Sequence, residues 1–167
     1  VTALTAIDER LKAVAPFVGG TGFKYVDFPG GIQGSSIKPH FQNLELYKNT
    51  IDASAYWPSV KCPVLFISSS NDFHSTFERI YQSMDLLQHK DWRVTTNIHQ
   101  NHGPGPEQWA TLNLWFEQYL KGIDQRIPAT PSSTLKLNTS SFIRSATFTV
   151  TPNDQDRLIT TQIYYSC

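Results

Sequence analysis

The apolar positions change period several times along the chain. VTALTAIDERLKAV starts in mid-pattern, with Val1, Leu4, Ile7 and Leu11 at helical spacing, and predicts the end of an amphipathic helix over 1–12. AVAPFVGG (13–20) is a short apolar run closed by glycines, which fits a buried strand followed by a loop. Residues 21–55 are rich in Gly, Pro, Ser and aromatics, with a helical piece around HFQNLELYK, and read as a cap-like excursion from the core. VKCPVLFISSSND (60–72) carries the clearest pattern. Val64, Leu65, Phe66 and Ile67 are continuously apolar, as in a parallel strand covered on both faces, and a Ser-Ser-Ser-Asn-Asp turn cluster follows.

FERIYQSMDLLQH (77–89) places Ile80, Tyr81, Met84 and Leu87 on one helical face, and DWRVTTNI (91–98) alternates as a strand does. PEQWATLNLWFEQYLKG (106–122) predicts a helix with Pro106 in its first turn, Glu107 at its positive end and Lys121-Gly122 closing it. Trp115, Phe116 and Tyr119 form its core face. Strand, helix, strand, helix in this order means an α/β sheet, mostly parallel and flanked by helices. After Gly122 the texture changes. IDQRIPATPSST reads as a linker, and LKLNTSS, ATFTVTP and RLITTQIYYS are strand-like with no helix between them. The expected division is an α/β part over 1–126 and the start of an all-β sandwich domain over 127–167.

Both ends look cut. Val1 begins inside a helical pattern without a cap, and LITTQIYYSC stops inside a strand pattern, so the chain reads as an internal fragment of a longer polypeptide that needs the missing part of the same protein. At 40% hydrophobic and 17% charged residues, it is long enough to bury a core. Fourteen basic residues balance fourteen acidic ones, which gives no electrostatic case for nucleic acid or an anionic membrane as partner. No apolar run is long enough to span a bilayer. Two cysteines, Cys62 and Cys167, are too few for a disulfide framework and leave the redox compartment open.

In an open parallel sheet, the side chains that act on ligands come from loops at the carboxyl ends of the strands. Asp72 follows one predicted strand at that end and His102 follows the next, so their loops are expected to be neighbours. An acid and a histidine so placed are two thirds of a nucleophile triad: the carboxylate fixes the imidazole tautomer, and the imidazole takes a proton from a serine. His99 is the rival base, nearer the strand. Each residue also has a plainer reading, Asp72 as a turn residue and His102 as an exposed loop histidine. A metal site is the chemical alternative, with Asp72, His74, His99 and His102 as ligands. Gly103, Pro104 and Pro106 argue against a helix presenting His99 and His102 on one face. No metal or organic cofactor is expected.

VTALTAIDERLKAVAPFVGG, YWPSVKCPVLFISSSNDFH, NIHQNHGPGPE and LWFEQYLKG, in that order, resemble the second half of the catalytic domain of an α/β-hydrolase. The resemblance covers roughly residues 1–122. It is greatest to the secreted bacterial branch of acetyl xylan esterase-like, dienelactone-hydrolase-like and PhoPQ-activated pathogenicity-related-like proteins. FTVTPNDQDRLITTQIYYS resembles the start of a β-sandwich appended to such enzymes. By this resemblance Asp72 matches the triad acid and His102 the triad histidine. The chain order of such enzymes is nucleophile, acid, histidine, and no G-x-S-x-G occurs here, so the serine is expected upstream of Val1. The resemblance implies ester hydrolysis, a small-molecule or acylated carbohydrate substrate, and a secreted or periplasmic location. The competing class is a non-catalytic relative, in which the same fold serves as a binding or assembly module.

Overall fold

The computed structural model describes residues 1–25, 42–124, 127–128, 132–140, 142–151 and 159–163. Cys167 and the middle of the Gly/Pro/Ser-rich excursion lie outside the described residues. The chain divides into two compact units, Val1–Ile127 and Pro128–Cys167.

The first unit is α/β. Its central strand is β1 (Val64–Ser69), and all six of its residues are buried. Because strand side chains alternate, the continuous apolar run splits between two faces. Val64 and Phe66 pack with Val14, Trp57, Val60, Ile80, Met84 and Leu87 on one face, while Leu65 and Ile67 pack with Trp115 on the other. Each large apolar side chain sealed there contributes about 2–3 kcal/mol over its exposed state. β2 (Trp92–Asn97) pairs with β1 in parallel, Val64 opposite Trp92 through Ser69 opposite Asn97.

On the other edge of β1 runs the extended segment around Val14–Phe17, also parallel but joined only by isolated bridges. Val14 N–H donates to Pro63 O, Leu65 N–H to Val14 O, Ile67 N–H to Pro16 O, and Val18 N–H to Ile67 O. The missing rung is at Pro16, which has no N–H to offer, and a regular ladder is broken there.

Helix α1 spans only Thr2–Ile7, and the chain is no longer helical by residue 12. Its buried residues are Thr2 and Thr5, whereas Val1, Leu4 and Ile7 are exposed, so the expected apolar stripe is not the face this helix buries. Hydrogen bonding sets the orientation: Thr2 Oγ1 donates to Gly20 O at 2.7 Å and Thr5 Oγ1 to Val1 O at 3.0 Å. Helix α2 (Leu44–Thr50) begins on Asn43, whose side chain accepts from Leu46 N–H.

The segment that follows α2 joins the core instead of standing away from it. Asp52, Ser54 and Trp57 are buried, and the Trp57 ring lies 5.1 Å from that of Phe66. Helix α3 (Phe77–Leu86) buries Ile80 and Met84, and Leu87 is sealed beyond its end, but Tyr81 points to solvent. Helix α4 (Pro106–Lys121) buries Trp115, with Phe116 and Tyr119 half-buried beside it, and ends on Gly122 in the left-handed region.

The second unit is described by its backbone. β3 (Ser132–Ser140), β4 (Phe142–Thr151) and β5 (Ile159–Ile163) form one antiparallel sheet in the order β3-β4-β5, with a bulge between Asn138 and Thr139. β3 takes in Ser132, Ser133 and Thr134, which the composition marks as linker, since Thr is also enriched in strands. Among the described residues, no helix is long and apolar enough to cross a membrane.

Candidate active site

Three parallel extended segments leave the sheet at the same edge, so the loops after Phe17, Ser69 and Asn97 share it. The loop after β1 is built by its serines. Ser68 Oγ donates to Ser75 O, and Ser69 Oγ donates to Gly103 O in the next loop, both at 2.8 Å. Ser70 Oγ accepts the His99 N–H at 2.7 Å, and Asn71 N–H donates to Gln100 O at 3.1 Å. The serine run is therefore a set of ties between two loops as well as a turn signal.

Asp72 is held in this frame. Its carboxylate is fully buried and accepts the backbone N–H groups of His74 and Ser75 on Oδ1, at 2.7 and 2.8 Å. His102 Nδ1 lies 3.1 Å from both Asp72 oxygens. Donation from Nδ1–H to the carboxylate leaves Nε2 as the acceptor, on a side chain about one third (36%) exposed. The structure thus brings Asp72 and His102 together across loops thirty positions apart in the chain.

His99 does not share that contact. It is exposed and sits at φ 60°, a left-handed conformation, with its backbone N–H on Ser70. The four-ligand metal set of Asp72, His74, His99 and His102 is not assembled: among the described residues, no group of three or more His, Cys, Asp or Glu is disposed to hold a metal ion.

His74 and Phe73 complete the cluster. The His74 ring centroid is 4.6 Å from that of His102, and the Phe73 ring is 5.5 Å from His102 and 4.3 Å from His74. Burial, reinforced by the neighbouring His102, holds the His74 pKa below its ordinary value, against the opposing pull of Asp72.

The residue least legible beforehand is Gln108. It is fully buried in the first turns of α4. Its amide donates to Ser68 O at 2.5 Å and Thr95 O at 3.1 Å, and its Oε1 accepts from Gly105 N–H at 3.0 Å. One side chain thus ties the ends of β1 and β2 to the start of the helix that follows His102. Its spacing, three residues after a helix-starting Gly105, is that of the reaching-back residue of a capping box, and that signal could have found it. A Cβ at Gly105 would fall 1.6 Å from Asn97 Nδ2, so a side chain there would require the Asn97 amide to move.

The loop after Phe17 is pinned from below. Asp52 is buried and accepts from Phe23 N–H, Lys24 N–H and Ser54 N–H at 2.9, 3.2 and 2.9 Å. Trp57 Nε1 donates to Thr21 O at 2.8 Å, and Ser83 Oγ donates to the same oxygen. Phe23 sits at φ 57°, a costly conformation supported by its bond to Asp52, and Val18, tied to Ile67 O, sits at φ 42°.

No family model matches the chain, and no curated protein matches it. Among solved structures, the 2,6-dihydroxy-pseudo-oxynicotine hydrolase is similar with a TM-score of 0.51 at 15% identity, over 77% of this chain and 39% of that one. An esterase of Pyrococcus furiosus is similar with a TM-score of 0.46 at 16% identity, over 71% of this chain and 48% of that one. The chain spans less than half the length of either. The first of these likenesses and the parallel sheet with its helices agree on the architecture: the first unit has an α/β-hydrolase type of fold.

Proposed function

We propose that this chain is the acid- and histidine-bearing part of a serine-dependent ester hydrolase. The observation that carries the reading is the contact of a buried carboxylate, Asp72, with Nδ1 of a partly exposed histidine, His102, at the carboxyl ends of adjacent parallel strands. Support for the general class comes from the fold shared with a hydrolase. In this reading the nucleophilic serine comes from outside these residues, as do the backbone N–H groups of the oxyanion hole.

The chemistry follows from the pair. His102 Nε2 takes the serine hydroxyl proton as the oxygen attacks the ester carbonyl, and Asp72 stabilises the imidazolium that forms. The imidazolium then gives the proton to the departing alkoxide. Water repeats the cycle on the acyl-enzyme, with His102 again the base. Nothing in these steps calls on a metal or organic cofactor. The substrate class, small acyl esters or acylated carbohydrate, is carried over from the family resemblance. So are the secreted or periplasmic location and the β-sandwich to which β3–β5 would belong.

The test is hydrolysis of p-nitrophenyl acetate and acetylated xylan by the intact protein, together with labelling by a fluorophosphonate probe. Asp72→Asn should lower kcat by about 10³- to 10⁴-fold, because an amide does not impose the required tautomer. Near-wild-type hydrolysis by Asp72→Asn would show that another carboxylate serves the base. Absence of any labelled serine would favour the non-catalytic binding module.

A further inference from the structure

The site holds a second histidine that the hydrolytic reading does not use. His74 is joined to both members of the pair by separate parts of its structure. Its backbone N–H donates to Asp72 Oδ1 at 2.7 Å, and its ring meets the His102 ring at 4.6 Å between centroids, tilted by 50°. Phe73 backs the same cluster at 5.5 Å from His102. His102 therefore has the Asp72 carboxylate at Nδ1 and two aromatic rings in contact with its own. Rings within about 6 Å of a cation attract it when they are neutral and repel it when charged, so the charge on His74 matters to His102.

We infer that His74 is a positioning residue for His102: its ring, packed on the imidazole, keeps Nδ1 on Asp72 and Nε2 free to take a proton, and does so only while uncharged. The consequence for His102 rests on reading it as the base. The charged groups acting on His74 come from each neighbouring element. Asp72 in its own loop favours the protonated form. His102 in the loop after β2, Lys24 in the loop after Phe17 and Arg79 on α3 oppose it. Arg79 Nη1 also donates to His74 O at 3.2 Å, which fixes the backbone from which the ring projects. Burial and these three groups outweigh the one carboxylate, so His74 is harder to protonate than an ordinary imidazole.

The experiment is heteronuclear NMR of the imidazole nitrogens of the intact protein, titrated from about pH 5 to 8. Wild type should show His102 as a single Nδ1–H tautomer. His74→Ala leaves the backbone N–H on Asp72 and removes only the ring, and should let the His102 tautomers mix. His74→Phe keeps a ring without a charge, and should restore the single tautomer. His102→Gln should move the His74 midpoint upward, because repulsion between the two protonated rings is lost. An unchanged His102 tautomer in His74→Ala, or an unmoved His74 midpoint in His102→Gln, would overturn the inference. These readouts need no substrate, so coupling between the rings is judged separately from hydrolysis.

Discussion

Gln108 offers a direct test of how the sheet edge is held together. Its side chain is inaccessible and makes three hydrogen bonds, two donated to Ser68 O and Thr95 O and one accepted from Gly105 N–H. A typical intramolecular hydrogen bond contributes about 0.5–1.5 kcal/mol net, so losing all three costs about 3 kcal/mol. Gln108→Ala adds a small cavity to that loss. Gln108→Leu fills nearly the same volume without the bonds and isolates the polar contribution. Gln108→Glu keeps an acceptor for Gly105 but sets a carboxylate against two carbonyl oxygens, and should be at least as damaging as Leu. The assay is urea unfolding followed by intrinsic fluorescence, with the change read from the midpoint at constant slope. The slackened helix start should also loosen the loop carrying His102, which would appear as faster amide exchange over 98–105. A destabilisation below about 0.5 kcal/mol in Gln108→Leu, the range of ordinary surface changes, would refute the reasoning.

Two further outcomes follow from other parts of the first unit. Gly22 sits at φ +96°, and a Cβ there would lie 2.5 Å from the backbone nitrogen of Ser54 and 2.9 Å from Asp52 Oδ1. Gly22→Ala should therefore destabilise by about 2–3 kcal/mol in the same urea assay, and a neutral result would mean that the loop after Phe17 is not held as described. Tyr119 donates to Asp91 Oδ1 at 2.6 Å, and burial, aided by that bond and the Asp91 charge, pushes its pKa up to about 12. A raised acid pKa favours the protonated phenol in the folded state. Its stabilising contribution is thus complete below pH 10.0 and is lost as pH rises towards 12. Tyr119→Phe should flatten that part of the stability profile, and a phenolate titrating at the ordinary tyrosine value would contradict the geometry.

Much of the first unit was decided by local pattern. β1 was legible because a strand buried on both faces needs consecutive apolar residues, and Val64–Ile67 supplies them. α4 was legible because Pro106, Glu107 and Gly122 punctuate a strongly periodic run. The meeting of Asp72 and His102 could be anticipated from chain order alone, since loops after adjacent parallel strands share one edge. Which histidine reaches the carboxylate was not local information. Ser70 and Gln100 bonds turn the chain at His99 and deliver His102 to Asp72 instead.

The same limit explains α1 and the excursion. Helical spacing of Val1, Leu4 and Ile7 says that they share a face, but not which face is covered, and Thr2 reaching Gly20 settles that. Asp52 and Trp57 look like loop residues until Phe23, Lys24 and Thr21 are folded onto them from some thirty positions away. The Gln108 bridge and the packing of His74 on His102 are of this kind too. Periodicity records how a segment meets a surface, whereas a hydrogen bond or ring contact between distant residues exists only once the backbone has brought both partners within a few ångströms.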